Sequence, residues 1–289
     1  MFAVNIGIII TLSIVLSLLG VEPYMQSYGL NYESLAIFCL VWGMGASFIS
    51  LLMSKTIVKW TMGVKVLKEN EITSPELRKL HLMLQRLSLQ AGLPKTPELG
   101  VYQSPEMNAF ATGPSKSRSL VAFSTGLLEK MTDEEIEGVA AHEIAHIANG
   151  DMITMTLLQG VVNALIMFIA RIIAFAVSSR FERDSRYWIQ FVTVIVAQLI
   201  LGVFGVMITS WFSRKREFRA DQGGARYAGR SKMIAALQAL NNRHQIADDR
   251  APQMAALKIS SSKKGGFLSL LSTHPPLEER IEALKSARI

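Results

Sequence analysis

Four long apolar stretches dominate the pattern of hydrophobic and polar positions along the chain. They cover residues 3–21, 35–54, 153–179 and 188–212. Each is close to the roughly 20 residues that an α-helix needs to cross the core of a bilayer. Only the third stretch contains a charged residue, Arg171, which is costly at mid-bilayer unless it faces protein or water. The pattern predicts two transmembrane hairpins; for the second pair, two buried helices of a large soluble core are the alternative.

The charges that flank the first two stretches predict their orientation. The connector between them holds Glu22 and Glu33 and no basic residue. Directly behind the second stretch come four lysines, Lys55, Lys59, Lys65 and Lys68. Because lysine and arginine in short loops favour the cytoplasmic side, both the N-terminus and the region after Lys55 are expected in the cytoplasm. The basic run "RKREFR" after Phe212 favours a second hairpin that leaves the cytoplasmic side and returns to it.

The composition is typical of a membrane protein and limits which residues can form a binding site for a metal. Half of the residues are hydrophobic and the mean hydropathy is +0.29, which is high for a soluble domain. A net charge of +7 is compatible with nucleic acid, but the basic residues cluster beside the apolar stretches without interleaved aromatics, so no nucleic-acid partner is expected. The single cysteine, Cys39, excludes a disulfide framework and a cysteine-built zinc site. Any metal must therefore be held by His, Asp or Glu.

The polar regions predict helices and a small sheet. Residues 55–152 contain a helix that Ser74 caps and Gly92 ends, followed by short strands in "PELGVYQ", "NAFATG" and "SLVAFS". The earlier "VKVLK" is also strand-like, and "GPSKSRS" predicts a hairpin turn between the last two strands. Residues 213–289 read mostly as helix, with "ISSSKKGGF" as a mobile loop. We therefore predict a mainly α membrane protein with a small β-sheet, divided into segments 1–54, 55–152, 153–212 and 213–289.

The segment "MTDEEIEGVAAHEIAHIANGD" carries the strongest chemical signal. Thr132 and Glu135 predict a capping box, and Gly150 a helix end. Within this helix His142 and His146 are four residues apart, so they share a face and can bind one cation together, as H-E-x-x-H zinc sites do. Glu143 projects beside them, placed to take a proton from water. Packing or surface histidines are the alternative, but small apolar neighbours predict burial, and two buried imidazoles beside a carboxylate are expensive without a cation.

A catalytic zinc takes three protein ligands, so a third must come from elsewhere in the chain. The motif "REFRAD" places Glu217 and Asp221 four residues apart on a predicted helix. Glu217 can bind the metal while Asp221 accepts the spare N–H of a ligand histidine. Alternatively, this acidic pair only balances the neighbouring arginines. Other candidates for the third ligand, by residue type, are His81, His244 and His274.

The hydrophobic pattern favours Glu217 as that ligand. Two apolar stretches of about 25 residues separate Gly150 from Glu217. If one crosses the bilayer outward and the other returns, the histidine pair and Glu217 reach the same depth. A metal site at the cytoplasmic membrane surface is therefore expected.

Taken together, "HEIAHIANGD", the apolar hairpin, "REFRAD" and "THPPLEERI" in this order resemble the HtpX family of bacterial membrane-bound zinc metalloproteases, over essentially the whole chain. That family is a branch of the glutamate-zincins, is related to the CAAX prenyl proteases and is associated with heat-shock quality control of membrane proteins. The resemblance implies one Zn²⁺ per chain held by His142, His146 and Glu217, with Glu143 catalytic and Asp221 supporting. It also implies a multi-pass protein of the bacterial inner membrane whose substrates are membrane proteins or unfolded polypeptides.

Two further residues are candidates for substrate contacts. An extended peptide suits peptide-bond hydrolysis because its backbone can add to a sheet edge beside the metal. The segment from Asn108 to Ala111 is the candidate edge, although an ordinary core strand would carry the same pattern. His274 in "THPP" can stabilise a developing oxyanion, but a turn-forming role beside two prolines fits equally well.

Two alternative functions remain at this point. A narrow processing enzyme, for example one that cuts lipidated C-termini, would be expected to have more spans than the four candidates here. A non-enzymatic membrane adaptor with a structural metal would have no need for the carboxylate of Glu143. The sequence therefore favours a membrane-surface endopeptidase, and it gives no prediction of the oligomeric state.

Overall fold

The computed structural model of the protein describes residues 32–242 and 270–287. The predicted first span at residues 3–21 and the predicted loop "ISSSKKGGF" lie outside these ranges, as does His244. The helices are α1 Tyr32–Leu52, α2 Ser54–Met62, α3 Pro75–Gln90, α4 Thr125–Lys130, α5 Asp133–Asn149, α6 Asp151–Ser178, α7 Arg183–Ala228, α8 Arg230–Asn242 and α9 Leu277–Ser286. The strands are β1 Lys65–Leu67, β2 Glu98–Tyr102, β3 Ala109–Thr112 and β4 Leu120–Ser124. The prediction of a mainly helical protein with a small sheet is confirmed.

Three of the described helices, α1, α6 and α7, are long and apolar enough to cross a membrane. Their most apolar windows have mean hydropathies of 2.1, 2.3 and 2.6. With 46 residues, α7 extends for roughly 70 Å, more than twice the thickness of a hydrocarbon core. The helix runs without a break from its apolar part into "RKREFRAD". The predicted segment boundary after Phe212 therefore lies inside one helix.

Contacts divide the chain into two compact units. In its described part, the first unit consists of residues 32–50 and 155–209, and the second of residues 51–154, 210–242 and 270–287. Within the first unit, Gly43 allows close approach of α1 and α6, since a Cβ there would come within 2.6 Å of the backbone nitrogen of Ala164. Arg171 stacks its guanidinium over the Phe38 ring at 5.3 Å and donates to the carbonyl of Met167. The guanidinium of Arg171, the one charge in the third apolar stretch, therefore contacts protein groups. These contacts avoid the high free-energy cost of exposing the charge to lipid.

The four strands of the second unit form one mixed sheet in the order β1-β2-β4-β3. β2 and β4 pair in parallel, whereas β1 with β2 and β3 with β4 are antiparallel. All four predicted strands and the predicted hairpin between β3 and β4 are confirmed. Because β3 pairs only with β4 among the described strands, its other side is an edge of the sheet.

The sheet and helices α3, α5, α8 and α9 enclose the main hydrophobic core, in which α5 is central. Its N-terminus has the predicted capping box: the Thr132 N–H donates to Glu135 at 2.8 Å, and Thr132 accepts in return at 3.4 Å. Gly150 ends the helix with a φ of 71°, in the left-handed region that favours glycine. The next residue, Asp151, already begins α6. Lys116 from the β3–β4 hairpin donates to the carbonyl of Ala148 at 2.5 Å, next to this junction.

Candidate metal centre

Helices α5 and α7 bring two imidazoles and one carboxylate together in the second unit. His142 and His146 project from the same face of α5, with Nε2 atoms 3.1 Å apart. Glu217 on α7 lies against both, with its oxygens 3.5 Å from Nε2 of His142 and 3.3 Å from Nε2 of His146. The three form a group of donors that could hold one metal ion. His142 and Glu217 are buried, and His146 is only slightly exposed.

The spacing of these donor atoms fits a tetrahedral cation. Ligand bonds of about 2.0–2.1 Å in a tetrahedron place neighbouring donor atoms about 3.3 Å apart. The two Nε2 atoms are 3.1 Å apart, and the nearer carboxylate oxygen of Glu217 lies 3.5 Å from Nε2 of His142 (Oε2) and 3.3 Å from Nε2 of His146 (Oε1), which are all close to that value. Two nitrogen lone pairs and a carboxylate aimed at one point repel one another unless a cation lies among them. The residues present therefore fit a dication of the size of zinc.

Each imidazole is oriented by a second carboxylate. Nδ1 of His142 lies 3.0 Å from Oδ1 of Asp221, and Nδ1 of His146 lies 2.6 Å from Oδ2 of Asp151. Since an ionised carboxylate only accepts hydrogen bonds, Nδ1 carries a hydrogen, and Nε2 is the atom left to bind a metal. Burial by itself would lower the pKa of His146, but the contacts with Asp151 and Glu217 outweigh burial and raise this pKa to about 10, so a metal would bind in place of the proton on Nε2.

Glu143 lies beside the donor group without belonging to it. Its side chain is buried, and burial raises the pKa of its carboxyl, partly offset by the nearby histidines. The backbone N–H of Ala111 in β3 faces this carboxylate and lowers its pKa to a smaller extent. A carboxylate with a raised pKa next to a metal-capable site is better suited to accept and return a proton than a carboxylate of ordinary pKa.

Arg280 and His274, both from the "THPPLEERI" segment, complete the surroundings of Glu217. Arg280 is fully buried and lies 3.3 Å from Oε2 of Glu217, while it also forms two hydrogen bonds with Asp221. His274 places Nδ1 2.9 Å from the same oxygen of Glu217. A third imidazole and a guanidinium thus face the carboxylate, which favours its ionised form.

The remaining described sequence candidates are not members of the donor group. His81 is on α3, where its ring contacts the side chain of Gln85, and it is not a member of the metal-capable group. Asn108 is buried at the start of β3, where its backbone exchanges hydrogen bonds with Ser124 at 3.0 and 2.9 Å. Asn108 therefore helps to fix the hairpin that holds the edge strand.

Comparison with known proteins identifies the family. The model of peptidase family M48 matches residues 75–288, which include every described helix and strand from α3 onward, among them the apolar helices α6 and α7. The chain belongs to peptidase family M48. As an M48 member with three apolar helices in its described part, it is a membrane-bound metalloprotease.

Curated relatives of this M48 protein match over nearly their full length. Protease HtpX homolog of Methylacidiphilum infernorum is 44% identical over 97% of this chain and 95% of its own. Protease HtpX of Hahella chejuensis is 45% identical, over 99% and 97%. Protease HtpX homolog of Bacillus subtilis is 46% identical, over 98% and 96%. The resemblance noted from the motifs is confirmed.

A solved structure shows the same fold. The crystal structure titled S. mikatae Ste24p aligns with 95% of this chain and 64% of its own, with a TM-score of 0.59 and 18% identity. At this identity the likeness concerns the fold alone. The likeness supports the predicted fold class, a mainly helical membrane protein with a small sheet.

Sequence reasoning missed two residues of this M48 site, Asp151 and Arg280. The signal for Asp151 was local: it follows the glycine that ends α5 and lies five residues after His146. Arg280 was visible only as part of the "THPPLEERI" motif, since it is 138 residues from His142 in the chain. Its contact with Asp221 depends on the packing of α9 against the core.

Proposed function

We propose that this protein is a zinc-dependent endopeptidase that cleaves misfolded or damaged membrane proteins at the cytoplasmic surface of the bacterial inner membrane. The observation that carries the proposal is the convergence of His142, His146 and Glu217 with donor separations of 3.1–3.5 Å. Family membership establishes a membrane-bound metalloprotease. The proposal adds the identity of the metal, the catalytic residues and the substrate class.

The proposed ligands are Nε2 of His142, Nε2 of His146 and the carboxylate of Glu217, for one Zn²⁺ per chain. When bound, the ion supplies Lewis-acid polarisation of water and of the substrate carbonyl. Three protein ligands leave a tetrahedral position for water or substrate, which distinguishes a catalytic site from a structural one. Asp221 holds His142 in the tautomer that exposes Nε2.

Glu143 is the proposed general base and acid. It is one residue from a ligand, so its carboxylate lies next to the donor group without occupying it. It takes a proton from the attacking water and returns that proton to the leaving amide nitrogen. Burial raises its pKa, which brings the proton affinity of the carboxyl closer to what this two-way transfer needs. His274, on the far side of Glu217, is the proposed donor to the developing oxyanion.

The proposed substrate site runs along the free edge of β3. An extended peptide adds to such an edge through main-chain hydrogen bonds, which suits substrates of diverse sequence. The backbone N–H of Ala111 in β3 faces Glu143, so this strand lies beside the proposed base. Asn108 at the start of the strand is the proposed residue that fixes the register of the bound peptide. Unfolded segments meet this requirement because their backbone groups are free to pair.

The proposed cytoplasmic orientation rests on charge. Lysines and arginines follow the apolar part of α1 and of α7, while the connector between the first two apolar stretches carries only acidic charges, Glu22 and Glu33. The names of the relatives, Protease HtpX, fit a role in quality control of the membrane. A broad backbone-directed site at the cytoplasmic membrane surface suits damaged membrane proteins better than a single processed peptide.

The decisive experiment separates metal binding from chemistry. In detergent-purified protein, Glu143→Gln should retain one zinc per chain yet lose at least about 10²-fold of casein cleavage, because only the proton transfer is removed. A chelator should abolish cleavage by the wild type, and added Zn²⁺ should restore it. The matched control is Glu134→Gln, an exposed carboxylate on the same helix, which should cleave normally.

Two results would reject the proposal. Undiminished cleavage by Glu143→Gln would remove Glu143 from the reaction. Purified wild type that holds no zinc, and that remains active in a chelator, would remove the metal. Cleavage of one lipidated C-terminal peptide and no unfolded membrane protein would instead favour the narrow processing enzyme.

A further inference from the structure

The carboxylate of Asp151 contacts a proposed metal ligand from an unexpected place in the chain. Its Oδ2 lies 2.6 Å from Nδ1 of His146, and the residue is only 4% exposed. It is the first residue of α6, separated from the end of α5 by Gly150 alone. The left-handed φ of Gly150 turns the chain so that the side chain of Asp151 points back at α5.

The backbone of Asp151 is held in turn by α7. Nη1 of Arg216 donates to the carbonyl of Asp151 at 3.3 Å, and Nη2 of the same guanidinium donates to Ser213 at 3.1 Å. Arg216 immediately precedes Glu217, so one residue fixes Asp151 while its neighbour faces His146. The orientation of Asp151 is therefore coupled to the helix that carries the proposed third ligand.

The two orienting carboxylates of the site differ in charge balance. Both oxygens of Asp221 bind Arg280, so the carboxylate that faces His142 is neutralised by a buried guanidinium. Among the described side chains, only His146 lies within hydrogen-bond distance of the Asp151 carboxylate. The guanidinium of Arg216 lies near this carboxylate but donates to the Asp151 backbone, so the side-chain hydrogen bond of Asp151 goes to the imidazole and makes Nε2 of His146 a stronger donor.

We propose that Asp151 is a positioning residue of the metal centre, which holds His146 in the tautomer and orientation that present Nε2 to the cation. This inference rests on the proposed zinc site. His142 and His146 are then unequal ligands: one is oriented by a carboxylate that binds a buried guanidinium directly, and the other by a carboxylate whose side-chain hydrogen bond, among the described residues, is to the imidazole alone. Replacement of Asp151 should weaken metal retention mainly because Nε2 of His146 becomes a weaker donor, and only to a smaller extent because the fold changes.

The test compares Asp151→Ala and Asp151→Asn in the full-length, detergent-purified protein. Zinc release to a chromogenic chelator should be about tenfold faster or more in Asp151→Ala, the loss typical of such outer partners. Asp151→Asn keeps an acceptor for Nδ1–H but not the charge, so its release rate should lie between those of the wild type and Asp151→Ala. The visible absorption bands of the Co²⁺-substituted protein should shift in both variants, which a merely structural role would not cause.

The matched control is Asp133→Asn, which removes an exposed carboxylate from the start of α5. It should release zinc at the wild-type rate. Wild-type zinc release and an unchanged Co²⁺ spectrum in Asp151→Ala would overturn the inference. If Asp151→Ala does not fold, the same two measurements on Asp151→Asn decide the question. If the wild type holds no zinc, the proposed function itself is rejected. If His142→Ala loses its zinc but both Asp151 variants retain theirs as well as the wild type does, only the present inference is rejected.

Discussion

Arg280 binds Asp221 through two parallel hydrogen bonds, Nε to Oδ2 at 2.8 Å and Nη2 to Oδ1 at 2.6 Å, where neither side chain reaches solvent. The pair joins α9 to α7 directly behind the proposed metal ligands. Such a paired geometry is the form in which a buried charge is tolerated, since each ion satisfies the other.

Arg280→Met should destabilise the protein strongly. It leaves Asp221 as a buried charge without its guanidinium, which typically costs about 3–5 kcal/mol. The double variant Arg280→Met/Asp221→Asn should lose less free energy of unfolding than the sum of the two single variants. Chemical unfolding in detergent, followed by circular dichroism, measures all three. Strict additivity would contradict a direct coupling between these two residues.

Glu217→Ala should weaken metal retention. It removes the only carboxylate of the donor group and leaves two imidazoles, which are too few for a catalytic zinc site. Zinc content after purification should fall well below one per chain, and proteolysis should fall with it. Glu279→Ala, which truncates an exposed carboxylate on α9, is the control and should keep its zinc. Normal zinc content in Glu217→Ala would point to another third ligand.

Glu137→Gln should reduce stability in a pH-dependent way. Burial alone would raise the pKa of Glu137, but Lys232 and Arg86, at 2.9 and 2.8 Å, outweigh burial and hold this pKa below its ordinary value of 4.5. Because the folded pKa is lowered, the stabilisation is complete above pH 4.5 and disappears as the pH falls through the folded pKa.

Thermal unfolding across that range checks the sign. At neutral pH the wild type should exceed Glu137→Gln by roughly 1 kcal/mol, since both cationic partners remain partly exposed. The difference should shrink below pH 4.5. A gap that widens on acidification would show that the ion pairs do not determine the pKa of Glu137.

Lys116→Met should loosen the end of the H-E-x-x-H helix. Lys116 donates to the Ala148 carbonyl in the last turn of α5, where a cation also interacts favourably with the helix dipole. The loss should be about 0.3–1 kcal/mol and should diminish at high salt. Arg118→Met, an exposed cation in the same loop, is the control and should be close to neutral. Equal losses in the two variants would assign the effect to general charge rather than to this contact.

Several features of the site were within reach of sequence reasoning because their causes are local. The capping box of Thr132 and Glu135, the glycine stop and the shared face of His142 and His146 all follow from spacings of three to five residues. The strands were also predictable from alternation and turn residues. For β3 the sequence left two possibilities open, a sheet edge or a core strand, because strand order depends on which strand packs beside β4.

By itself the sequence determined that long apolar helices accompany a helix able to bind metal, since hydrophobic length and i, i+4 spacing act within one element. Only the tertiary structure decided that Glu217, rather than His81, faces the two imidazoles, and that Asp151 and Arg280 join them. These contacts link positions up to 138 residues apart. Their geometry is fixed by the packing of α7 and α9 around α5, and no local pattern in the chain encodes that packing.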